Sequence, residues 1–145
     1  MGFLWFNKEE NVSLKLYRRV EPEEDEDGIL DLIYWIYAGK HMPVGYCDLR
    51  VGMCDSLYYA GQIGYHVFRP FRGHRFAHKA CLRLFEVARE LGMRELLITC
   101  SPDNIASKKT LIKLGGVYVE TVDVPCNHYL YQRGETVKEI YRFEL

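Results

Sequence analysis

One stretch of the chain concentrates groups suited to holding an anion. Residues 67–77 read Val-Phe-Arg-Pro-Phe-Arg-Gly-His-Arg-Phe-Ala. Arg69, Arg72, Arg75, Lys79 and Arg83 fall between positions 69 and 83 with His74 and His78, and no acid lies among them. Before this run the sequence reads as a strand, after it as an amphipathic helix. Amides at a helix N-terminus lack intrahelical partners, and with the helix dipole they attract negative charge. Pro70 and Gly73 shape the intervening loop, and the arginines add charge-assisted donors around it. Lys79 and Arg83 read as ordinary charges on the helix surface. A diphosphate suits this arrangement better than a triphosphate, because the GxxxxGK[ST] pattern is absent.

The elements that position this loop follow from period and turn chemistry. Leu14, Leu16 and Val20, with Tyr17 between them, suit a first strand over 14–20. The acids Glu21, Glu23, Glu24, Asp25, Glu26 and Asp27 then make a solvated loop. Segment 29–38 is rich in residues that fit a pleated surface. A Gly39-Lys40 turn joins it to a partner strand over 44–51, forming a hairpin. Residues 52–56 read as loop and 58–68 as a further strand. Glycines 61 and 64 point to a bulge or a close backbone approach there.

From Phe76 to Leu91 the apolar residues recur at the spacing of an amphipathic helix, and Gly92 stops it. A buried strand over 95–100 follows. Ser101-Pro102-Asp103-Asn104 opens a second helix over 105–114, which Gly115-Gly116 ends. Strands over 117–124 and 138–145 finish the chain, with a polar loop between them. The order β β β β α β α β β predicts an α/β class with a mixed (α+β) sheet and helices packed on it. The β–α–β unit over 58–100 is expected to be parallel, with a right-handed crossover.

Arg72-Gly-His-Arg-Phe-Ala77 resembles the [Q/R]-x-x-G-x-[G/A] loop of the GNAT N-acetyltransferase superfamily, which lies between that family's fourth strand and third helix. Phe71-Arg72-Gly73 also resembles its yRGxG wording. A second family feature, N-x-x-[S/A] opening the fourth helix and Leu-Gly closing it, is matched by Asn104-Ile-Ala-Ser107 and Leu114-Gly115. The resemblance spans about residues 44–120. It implies a GNAT-like acyl-CoA N-acyltransferase fold and acetyl-CoA as acyl donor to an amine, by direct transfer in a ternary complex.

The resemblance also implies site residues. Backbone amides of Arg72, Gly73, His74, Arg75, Phe76 and Ala77 would cradle the pyrophosphate. Asn104 would bond the pantetheine arm, with Ser107 beside it. An amide near Val67 or Phe68 would hold the oxyanion, and the base would be an ordered water. Three features depart from the family pattern. Arg75 stands where the loop has its central glycine. Leu111 stands seven residues after Asn104, where many relatives carry a proton-donating tyrosine. Only the acidic loop separates the first two strands, where two helices are usual, so the acceptor side is expected to be open or covered by a second subunit. Tyr118 is the expected replacement acid, with Tyr129 and Tyr131 as further candidates. A non-catalytic acyl-CoA-binding or interaction module of the same fold is the alternative reading.

Other residues invite chemistry less. Asn104 also suits an N-cap. Cys100 has no sequence neighbour to depress its pKa and reads as a structural thiol. Gln62 and Asp48 are candidates for the acceptor side, and His66 reads as a core or edge strand residue.

The bulk numbers narrow the class. A chain of 145 residues reads as one domain over 1–145. Its net charge of −1, from 19 basic and 20 acidic residues, carries no footprint of nucleic acid or membrane. Five scattered cysteines without a CxxC argue against a disulfide framework or zinc site and suit reduced thiols in the cytoplasm. No metal is expected. The start lacks the pattern of a signal peptide. Exposed sheet edges and apolar Phe3–Phe6 are consistent with a homodimer. The acceptor stays open between small-molecule and protein amines.

Overall fold

The computed structural model describes residues 11–145. The apolar Phe3–Phe6 segment lies outside them. Strands β1 (Val12–Val20), β2 (Leu30–Ala38), β3 (Met42–Val51) and β4 (Ile63–Val67) form an antiparallel sheet in that order. Strands β5 (Glu95–Cys100), β6 (Val117–Asp123) and β7 (Val137–Glu144) form a second antiparallel sheet, in the order β5-β7-β6. The helices are α1 (Asp55–Ala60), α2 (Phe76–Glu90), α3 (Ile105–Lys113) and α4 (Tyr129–Gln132). A single 3-10 turn, Pro22–Glu24, occupies the link between β1 and β2, where no α-helix forms.

The core sits beneath α2. That helix buries Phe76, Ala80, Cys81, Leu84, Phe85 and Ala88, one stripe at helical spacing. They meet Ile36, Cys47 and Leu49 of the first sheet and Leu96, Ile98, Tyr141 and Phe143 of the second. One helix therefore bridges both sheets. Truncating Leu84, which is wholly buried, to alanine would cost about 2–5 kcal/mol. That anchoring fixes the start of α2 relative to β4, which matters for the site below. No helix among the described residues is long and apolar enough to cross a membrane.

Three expected elements differ. Tyr58, Tyr59 and Ala60 belong to α1 and not to a strand. Segment 58–68 is broken by Gly61, at φ +78°, where a side chain would meet the Thr99 amide at 3.0 Å. The polar loop after β6 carries the short helix α4. Finally, β4 and β5, expected as parallel neighbours, share no ladder.

Gln62 joins β4 to β5 at one end. Its amide donates to the Leu97 carbonyl (2.7 Å), and its side-chain oxygen accepts from the Leu97 amide (2.9 Å). Its side-chain nitrogen donates to the Gly52 carbonyl (2.7 Å). The side-chain amide stands in for a peptide group of the ladder. Gln62 is buried, with its polar atoms engaged in these bonds, so its expected role at the acceptor gives way to a structural one.

Candidate active site

A cavity of about 450 Å³ opens where β4 ends and α2 and α3 begin. The loop Arg69–Phe71 is a 3-10 turn that carries the chain from β4 to α2. Gly73 follows at φ +90°, with open space where a side chain would project. Arg75 is the N-cap of α2 and takes the left-handed conformation, φ 64° and ψ 23°. It is the only non-glycine residue with positive φ among the described residues. A side chain held there costs about 1–2 kcal/mol. The loop thus follows a path that glycine would follow freely, and arginine follows under strain.

Eight of the ten expected cofactor residues line this cavity: Val67, Arg72, Gly73, Arg75, Phe76, Ala77, Asn104 and Ser107. Phe68 and His74 do not. Phe68 gives its amide to the Val44 carbonyl (2.8 Å), so that amide is not available to an oxyanion. Its ring lies among Trp35, Tyr46 and His66. Antiparallel ladders alternate the direction of their backbone groups. With Phe68 bonded to β3, the backbone of Val67 points the other way, and its carbonyl accepts from Arg72 Nε at 3.0 Å. His74 lies against the Phe76 ring, with centroids 5.6 Å apart.

Asn104 is the N-cap of α3, its Oδ1 accepting from the Ser107 amide at 3.1 Å. Its side-chain nitrogen is the group left to reach a ligand. Ser107 Oγ lies 2.6 Å from Tyr65 Oη, so two hydroxyls from different elements meet at the back of the cavity. Burial pushes the Tyr65 phenol well above its usual range, although the Ser107 contact works against it. The hydroxyl therefore keeps its proton at neutral pH. Leu111 is wholly buried in the core and offers nothing to the site.

Tyr118 is placed elsewhere. It is half exposed on β6, opposite Tyr141, with its hydroxyl 2.6 Å from Thr121 Oγ1. It lines neither this cavity nor the next. Tyr65 lines both cavities, and Tyr129, a further candidate, lines the second alone. The alternation of apolar residues in β4 could have pointed to Tyr65, but only with knowledge of which face looks toward α3.

A second cavity, of about 280 Å³, shares Tyr65, Asn104 and Ser107 with the first. Arg50, Arg133, Lys138, Glu135, Thr99 and Tyr129 complete most of its polar wall. Arg50 pairs with Asp48 (2.8 Å) and also donates to the carbonyls of Ala60 (3.2 Å) and Gly61 (3.0 Å). Lys138, itself buried, pairs with Glu135 at 2.7 Å. Arg133 lies over the Tyr129 ring, 5.6 Å from its centroid. Cys100 also lines this cavity, and burial and Glu139 raise its thiol pKa, which disfavours a nucleophilic thiolate.

Asp48 is held by Arg50 and lines neither cavity. Behind it, burial and the neighbouring Asp48 carboxylate raise the Asp31 pKa to about 8. Beyond Tyr129 lies an open cleft of about 800 Å³, walled by Asp25, Asp27, Asp55, Tyr58 and Tyr59. At the first cavity, burial, with Arg75, Lys113 and Lys79 nearby, holds the His78 imidazole below its usual range.

Residues 5–117 match a family model described as an acetyltransferase (GNAT) domain. Among solved structures, the chain resembles the microcin C7 self-immunity acetyltransferase MccE, determined with acetyl-CoA and AMP. Identity is 18%, over 79% of this chain and 61% of that one, with a TM-score of 0.59. It also resembles a Salmonella typhimurium acetyltransferase that modifies the N-terminal serine of ribosomal protein L7/L12. There identity is 18%, over 79% and 64% of the two chains, with a TM-score of 0.61. A third is yncA, a putative acetyltransferase from Salmonella typhimurium with its cofactor acetyl-CoA, at 17% identity over 79% and 65%, TM-score 0.59. At such identities the likeness is one of fold. The chain spans 61–65% of the length of these three proteins. No curated protein matches it by sequence.

Proposed function

The chain belongs to the GNAT acetyltransferase family, and on that premise we propose that it moves an acetyl group from acetyl-CoA to an amine in a ternary complex. The observation that carries this reading is the meeting of two cavities at one wall, Tyr65–Ser107. One substrate enters beside α2, the other beside α4, and their reacting ends meet at those hydroxyls.

The first cavity fits the donor. The first-turn amides of α2 have no partners within the helix, and Arg72 and Arg75 line the same opening. Together they would hold a pyrophosphate. Gly73 leaves open space on the loop's outer side. The Asn104 side-chain nitrogen would donate to the pantetheine arm as it passes between β4 and β5, which separate beyond Gln62. Acetyl-CoA, when bound, supplies a thioester carbonyl open to attack by a neutral amine.

The remaining roles belong to this chain's own groups. The Val67 amide would donate to the carbonyl oxygen as negative charge develops on it. Tyr65 would donate a hydrogen bond to the departing sulfur. A phenol is a weaker acid than a thiol, and burial weakens Tyr65 further. Its contribution is therefore a preorganised donor, with its proton retained. Water would carry the amine's proton to the thiolate. Holding both reactants at one wall would supply much of the rate.

The core position of Leu111 favours a second reading, an acyl-CoA-binding module without turnover. Calorimetric titration with acetyl-CoA, beside desulfo-CoA and ADP, tests the donor site. We expect micromolar binding, weakened about tenfold by Arg72→Ala. Absence of binding would remove the transferase reading. Binding without thiol release across a broad amine panel would leave the module.

A further inference from the structure

We infer that the second cavity receives an anionic group, a carboxylate or a phosphate, carried by the amine that is acetylated, and that Arg133 binds it. This inference rests on the acetyl-transfer reading and adds a class of acceptor to it.

The charges that line this polar cavity do not balance. Three cations line the cavity (Arg50, Arg133 and Lys138) and one carboxylate does, Glu135. Glu135 is taken by Lys138. Asp48, outside the lining, closes on Arg50, whose Nη1 is also engaged by two backbone carbonyls. Arg133 is left. Its guanidinium lies over Tyr129 and pairs with no carboxylate among the described residues. It stands at the C-terminal cap of α4, exposed and ready to fork onto a planar or tetrahedral anion.

The surplus positive charge also acts on the reacting amine. An ammonium entering a space lined by cations is disfavoured relative to the free base, which is the form that attacks. A purely cationic acceptor would add charge where charge is already in excess. An amine with an adjoining anion instead offsets that excess by setting its negative group on Arg133. The acidic cleft beyond Tyr129 would draw polyamines instead, which supplies the opposing outcome.

The test titrates the full chain, saturated with CoA, with glycine, phosphoethanolamine, ethanolamine and spermidine by calorimetry. We expect at least one of the two anionic amines to bind about tenfold more tightly than ethanolamine or spermidine. Glycine against phosphoethanolamine decides between carboxylate and phosphate. Arg133→Ala should weaken the preferred anionic amine roughly tenfold to a hundredfold. Arg133→Lys should retain part of the affinity, and Arg142→Ala, a surface change outside the cavity, should alter nothing. Equal binding across the panel, tightest binding of spermidine, or an Arg133→Ala chain with unchanged affinities would overturn the inference alone. Failure of CoA itself to bind would remove the transferase reading and this inference with it.

Discussion

The two cavities that meet at Tyr65 are made of different material. The cavity proposed for the donor is bounded by a loop with positive φ at Gly73 and Arg75 and by the first turn of a 15-residue helix. The cavity proposed for the acceptor is bounded by charged residues from separate elements, Arg50 of β3, Arg133 just after α4 and Lys138 of β7. A site made of amides tolerates change in its residues so long as the path survives. A site made of side chains changes its ligand with each substitution. This difference suits the proposed transfer, in which one donor is kept while acceptors vary.

The sharpest way to break the comparison is at the wall the cavities share. Tyr65→Phe removes one preorganised donor to developing charge and should lower kcat roughly a hundredfold to a thousandfold. Its acetyl-CoA affinity should stay within about threefold, since neither the loop nor the helix amides change. Steady-state thiol release and titration separate the two effects. Tyr118→Phe should leave both near their starting values, and a comparable loss there would return the role to β6.

A smaller effect tests whether backbone amides carry the proposed donor binding. Arg75→Gly relieves the left-handed strain and should raise stability by about 1 kcal/mol in thermal unfolding. If the amides carry binding, acetyl-CoA affinity should fall only a few-fold from the lost charge. A loss well beyond tenfold would assign the work to the guanidinium and erase the contrast.

The smallest effect is a proton. Burial and neighbouring cations hold His78 below its usual range, so the free protein carries it neutral at pH 7. A pyrophosphate in the same cavity would raise its pKa again. Binding should then take up a fraction of a proton below pH 7, and affinity should rise as pH falls through the histidine's titration. Calorimetry in buffers of different ionisation heat reads this uptake, and His78→Gln should abolish it. Identical heats in all buffers would show that His78 does not sense the ligand.

The same contrast explains what the sequence disclosed. The loop before α2 and α2 itself are local, so turn chemistry and spacing locate them: the apolar run from Phe76 to Leu91 is a helix over Phe76–Glu90, and β5 falls at 95–100 as expected. Asn104 was legible as a cap because capping is a contact three residues long. Helix α1 was missed because Tyr58 and Tyr59 favour a pleated surface in isolation, and it is packing beside β5 and β7 that holds the turn. Tyr118, the expected acid, lines neither cavity and Tyr65 lines both, a difference in facing that cannot be deduced without knowing where α3 lies. Arg50, Arg133 and Lys138 are 88 residues apart at their extremes, and no spacing rule joins them.

The joint at Gln62 has a consequence for how such a molecule can change over generations. Ladder bonds between strands are made by groups every residue carries, so mutation rarely edits them. Here one bond of the seam between the sheets runs through a side chain, and so it is heritable in a way the rest of the framework is not. One of the two bonds between Gln62 and Leu97 at the base of the cleft is thus set by a single codon, the other by backbone. Lineages could loosen or tighten the grip on the donor by altering that residue, with the remaining architecture left as it stands.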